Sequence, residues 1–219
     1  MVPILRLYED VLSSDAGNLR LPALSRMLFV VHGAVIVDGR SLADGEAWHG
    51  QCEVTLKPGE AGVTIWRFEF APASTSDGIA AGQGVISQLK LSAALETLPK
   101  GELLLRGDSV AFLPGGCAYL HRHQGPGIRC LIEGGIRIDT HGRSTSYGPG
   151  GAWYETGPDA VFAQAAADRA TRFIRLMLLP RDLLGKSSIQ YVNEDDKSRP
   201  KSQSYQIFVD APIARPDQA

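Results

Sequence analysis

This chain has little cysteine, no charge excess of either sign, and no long hydrophobic run. Its three cysteines, Cys52, Cys117 and Cys130, are odd in number and lack a paired spacing. Neither a disulfide framework nor a zinc knuckle is therefore signalled, and Cys117 and Cys130, which flank a histidine segment, read as buried thiols. No apolar stretch approaches the ~20 residues that span a bilayer. Twenty-two basic against 24 acidic residues leave a net charge of −2. That balance gives no electrostatic reason to expect nucleic acid or an anionic membrane as partner, so the expected partner is a small molecule. The opening MVPILRLYEDVLSSD lacks the basic start, apolar core and cleavage site of a signal peptide, which predicts a cytoplasmic, reduced protein.

What the chain does contain is internal similarity. HGAVIVDGRSLADGEAW, from His32 to Trp48, is echoed by EGGIRIDTHGRSTSYGPGGAW, from Glu133 to Trp153. TIWRFEFAP (Thr64 to Pro72) is echoed by RFIRLMLLP (Arg172 to Pro180). The offset is about a hundred residues, and duplication is the simplest account of it. The repeated unit reads as strand: Val35 to Asp38 and Ile136 to Asp139 end in glycine-containing turns, as hairpins do. Twenty-four glycines and thirteen prolines punctuate the chain, which suits closed antiparallel sheets. Helix signals are few. Ala160 to Ala170 is placed as strand and turn by the repeat, and Arg181 to Gly185 as a single turn. Ala73 to Gly84 reads as a mobile loop or a connection between halves, and Glu194 to Lys201 as a solvated loop.

Tyr119, His121 and His123 occupy alternate positions of a predicted strand, which places their side chains on one face. Two imidazoles so spaced can converge on one ion; surface or satisfied core histidines are the other reading.

The segment GGCAYLHRHQGPGIRCLIEGG resembles the first motif of the cupin superfamily: Gly, five residues, His-x-His, three or four residues, Glu, six residues, Gly. Gly115, His121, His123 and Gly134 fall on that spacing, whereas the glutamate position is Gly127. The second cupin motif would place a histidine at Ala160 or Val161, so two of the usual four ligands are missing. The resemblance implies an all-β protein of two cupin (jelly-roll-like double-stranded β-helix) barrels related by internal duplication. Residues 1–98 would form a barrel without a metal site and residues 99–219 a barrel carrying one, with exchange of strands between halves left open.

Glu155, in a Trp-aromatic-Glu run that related cupins often carry, is the candidate third ligand beside His121 and His123; a solvated turn residue is the alternative. Such a set suits one divalent transition metal, Fe, Mn, Zn or Ni. Arg129, on the parity of His123, would hold an anionic substrate group or form an internal salt bridge. Tyr119 and Gln164 are further substrate-side candidates, with packing and backbone satisfaction as their structural roles. Shifting by the repeat offset puts Arg20 and Pro22 opposite the two histidines, so the first barrel is read as scaffold. Trp48 and Trp153 recur in both halves and are read as core. The implied function is a metal-dependent enzyme on a small acidic or aromatic molecule, with a dioxygenase as one form; the alternative is a non-catalytic binding or sensory cupin. Either a monomer or a homodimer fits, because two barrels in one chain can satisfy each other's edges.

Overall fold

The computed structural model describes residues 2–76 and 78–215, and the chain divides into two compact units at Glu96/Thr97. The N-terminal unit holds β1 (Ile4–Leu12), β2 (Leu19–Leu21), β3 (Ser25–Val37), β4 (Arg40–Ala43), β5 (Ala47–Gly50), β6 (Val54–Ala71) and β7 (Val85–Ala94). The C-terminal unit holds β8 (Leu103–Phe112), β9 (Cys117–His123), β10 (Gly127–Glu133), β11 (Ile136–Thr140), β12 (Arg143–Tyr147), β13 (Ala152–Glu155), β14 (Val161–Ala165), β15 (Thr171–Pro180), β16 (Ile189–Tyr191) and β17 (Gln203–Ile213). Its helical content is limited to short 3₁₀ turns at Arg181–Leu183 and Glu194–Lys197. The first matches the single turn expected there. In the second, Asp196 is buried, so that loop is packed rather than simply solvated.

In the C-terminal unit two five-stranded antiparallel sheets run β13-β10-β15-β8-β17 and β12-β11-β14-β9-β16. Alternate residues of both sheets point inward, and Val110, Phe112, Ile136, Ile138, Trp153, Val161 and Phe173 form the apolar end of the core between them. In the N-terminal unit the long strands β3 and β6 serve both faces. Its pairings run β5-β3-β6-β1-β7, the same order as the first sheet of the other unit. Both units also carry a two-residue hairpin with positive φ at both positions, Asp38-Gly39 and His141-Gly142, the geometry of a type I′ turn. His141 is exposed there, as expected for a turn residue. Ala73 to Gly84 joins β6 to β7 inside the N-terminal unit, so it is not the connection between halves.

Candidate metal centre

His121 and His123 end β9 and project into the C-terminal barrel, 5% and 4% exposed. Their Nε2 atoms lie 3.2 Å apart with the rings edge to face. His121 Nδ1 faces the Tyr119 carbonyl at 2.7 Å; an N–H there leaves Nε2 as the lone-pair atom. His123 Nδ1 faces Ser188 Oγ at 3.4 Å. Burial pushes the His121 pKa down against the pull of Glu155. It pushes His123 well down, helped by the positive charges of Arg129 and Arg175. Both rings are thus held neutral, the form that binds a metal.

Glu155 joins them from β13. Its Oε2 lies 3.7 Å from His123 Nε2, while Trp153 Nε1–H donates to its Oε1 at 2.9 Å. A carboxylate 8% exposed needs a counter-charge, and Arg129 Nη2 stands 2.8 Å from Oε2. Neither of those two atoms makes an aligned hydrogen bond. Arg129 also donates from Nη1 to the Gly127 carbonyl at 2.7 Å, and desolvation lowers its pKa to about 10. Its internal ion pair is therefore the observed arrangement, in place of the free anion anchor that the strand parity allowed. Next to it Arg175 makes a two-point pair with Asp108 at 2.8 and 2.6 Å.

A cavity of about 20 Å³ remains between these groups, room for one ion or water and no more. Among the described residues no three His, Cys, Asp or Glu side chains form a finished metal cage. The two imidazoles nevertheless fit one ion at about 2.0–2.1 Å from each nitrogen, and the orphaned Glu155 Oε2 is the available third donor once it turns from Arg129.

Gly127 explains the missing family glutamate. A Cβ on it would run into the Leu176 carbonyl and stand 3.1 Å from Arg129 Nη1, so close packing of β10 on β15 leaves no room for a side chain.

Two other candidates lie elsewhere. A β-bulge pairs Val161 with His121 but Ala163 with Ala118, which breaks the alternation that put Tyr119 inward. Ala118 lines the cavity with the histidines, and Tyr119 sits under Arg199 and Lys201, with cation–ring distances of 5.3 and 5.4 Å. Gln164 Nε2–H donates to the carbonyls of Gly115 and Gly116 at 2.9 and 3.1 Å, so it ties down a loop. Residues that sequence reasoning missed are Arg175, Asp108, Ser188 and Tyr205; Arg175 sits in an apolar run with only its charge as signal.

The N-terminal unit lacks this constellation. Its strand pairing puts Leu21 opposite Val54 as His121 is opposite Val161, one residue from the Arg20 that a constant offset gives; the bulge accounts for the difference. Leu28 pairs with both Arg67 and Trp48 as Arg129 pairs with Arg175 and Trp153. In the same frame Gly50 takes the place of Glu155.

Two antiparallel sheets of this order have the arrangement of a cupin barrel. Solved structures of similar fold include an oxalate decarboxylase variant of B. subtilis (TM-score 0.62, 14% identity, 89% of this chain and 73% of that one). AerE from Microcystis aeruginosa is similar over 82% of this chain and 89% of its own (TM-score 0.58, 12% identity). A salicylate 1,2-dioxygenase from Pseudaminobacter salicylatoxidans is similar over 78% and 70% (TM-score 0.54, 9% identity). No protein-family model matches the chain, and no curated protein matches it in sequence.

Proposed function

We propose that the chain is a duplicated, two-barrel cupin whose second barrel binds one divalent transition metal through His121, His123 and Glu155. It acts on a small acidic or aromatic molecule, with a dioxygenase as one form. The observation that carries this reading is the 3.2 Å approach of two buried Nε2 atoms. The metal would act as a Lewis acid on substrate or oxygen. The chain's own groups prepare the place. Tyr119 and Ser188 fix the imidazoles, Trp153 orients Glu155, and the apolar end of the barrel excludes water. Arg129 holds Glu155 in place until a metal competes for it.

A non-catalytic small-molecule binder is the second reading. It is favoured by the incomplete ligand set, since among the described residues no three His, Cys, Asp or Glu side chains form a finished metal cage. Both readings place the protein in the cytoplasm as a monomer or homodimer. Metal-free protein should gain about 5 °C or more in melting temperature with Mn²⁺, Fe²⁺, Zn²⁺ or Ni²⁺, and His121→Ala should remove the gain. No shift with any of the four contradicts the metal reading. Organic-ligand binding that survives His121→Ala favours the second.

A further inference from the structure

The C-terminal barrel has two seams, where an edge strand of one sheet faces an edge strand of the other without backbone pairing among the described residues. At the β12–β13 seam, Tyr147 stacks on Trp153 with ring centroids 4.9 Å apart. Trp153 is buried and hydrogen-bonded to Glu155. That seam is shut.

The β16–β17 seam is different. A cavity of about 300 Å³ lies in it, lined by Arg106, Lys186, Ser188, Tyr205 and Ile207 among others, at the small end of ligand pockets. It shares Arg175, Ile189 and Tyr205 with the inner cavity at the imidazoles. Tyr205 is 46% exposed and Ile189 is half-buried. These side chains line both spaces, and rotamer changes at exposed positions are fast. Ser188, against His123, belongs to the same segment. Among the described residues β16 has no counterpart in the N-terminal unit's sheet, where β2 pairs with β6.

The outer cavity also has a chemical character. Tyr205, Ile207 and Ile189 give it an apolar wall. Arg175 is neutralised by Asp108 and Arg106 by Asp210, whereas Lys186 has no ion-pair partner among the described residues. Three cations less two carboxylates leave one positive charge.

We propose that the β16–β17 seam is the entrance to the imidazole pair, gated by Tyr205 and Ile189, and that its ligand is a small monoanion with a flat apolar body, anchored by Lys186. The proposal deepens the reading of the histidines as the reactive centre, but access can be measured without metal. Diethylpyrocarbonate acylation of His121 and His123 in EDTA-treated full-length protein, followed by peptide mass spectrometry, reads it directly. Ile189→Trp should slow acylation at least about ten-fold and Tyr205→Ala should speed it about three-fold, with exposed His141 unchanged as internal control. Thr156→Trp, in the separate surface hollow of about 390 Å³ that also borders His123, should change nothing. An unaltered rate in both Ile189→Trp and Tyr205→Ala, or slowing by Thr156→Trp instead, overturns the entrance. Saturating benzoate should protect both histidines, and Lys186→Glu should abolish that protection. Absent protection, or protection that survives Lys186→Glu, overturns the ligand assignment. A protein that binds no metal yet shows this acylation pattern would sink the metal reading alone.

Discussion

The two units spend their buried charge differently on the same strand order. In the N-terminal barrel Arg67 binds Asp10 at 2.6 Å and Glu69 at 2.8 Å, and Arg26 binds Glu69 at 3.1 Å. Ser87 Oγ–H adds a donor to Asp10 at 2.5 Å. Beside this network Leu21, Leu28, Val30, Val54 and Ile65 belong to an aliphatic core cluster. In the C-terminal barrel Arg175 and Asp108 form a comparable closed pair, but Arg129, Glu155 and the two imidazoles form an open one. Each network leaves a buried carboxylate oxygen without an aligned donor, Glu69 Oε2 in the first and Glu155 Oε2 in the second; what sets the second apart is that two imidazoles and a small cavity stand beside that oxygen.

The largest expected break in that comparison is Arg67→Ala. It strips the shared cation from two buried carboxylates and should destabilise the protein by about 4 kcal/mol or more in urea titration. A loss below about 1 kcal/mol would mean the N-terminal network is solvated. Arg129→Leu, which gives the second barrel the character of Leu28 in the first, should cost about 3 kcal/mol in metal-free protein. Added Zn²⁺ or Mn²⁺ should recover most of that loss by supplying Glu155 with a new counter-charge. Equal loss with and without metal would separate Glu155 from the metal.

The pH dependence sharpens the comparison further. His121, His123 and, in the first barrel, His49 all have pKa values lowered by burial. The unfolded chain therefore takes up protons first, with histidine near ~6.5. Stability of the metal-free protein should be full above about pH 6.5 and should fall as pH drops through the lower folded values. His123→Gln should flatten that fall more than His49→Gln, as followed by urea midpoints across pH 5–7.5. The reverse order would place the stronger desolvation in the first barrel. The smallest effect belongs to Gln164→Ala, about 1 kcal/mol from lost loop hydrogen bonds, with metal affinity unchanged.

Much of this was legible in the sequence where local chemistry repeats. The Gly-Arg-Ser and Gly-x-Ala-Trp skeletons marked matching hairpins, and positive φ at Gly33 and Gly134 explains why glycine recurs there. His-x-His and Glu155 were legible too, because strand parity holds from His121 to His123 and Arg129 lies in register with Trp153. Parity failed at Tyr119 because one bulge before His121 turns the alternation over, and no residue type announces a bulge. Arg129 was ambiguous because its partner, Glu155, comes from another strand. The β16–β17 seam was hidden for the same reason: Lys186 and Ser188 come from one segment and Tyr205 from another, and they meet only through topology.

The most direct test is elemental analysis of full-length protein purified without added metals, beside His121→Ala and His123→Ala. The account predicts close to one transition-metal ion per chain in the native protein and almost none in either variant. Native protein that carries no metal, or variants that carry as much as it does, would contradict it.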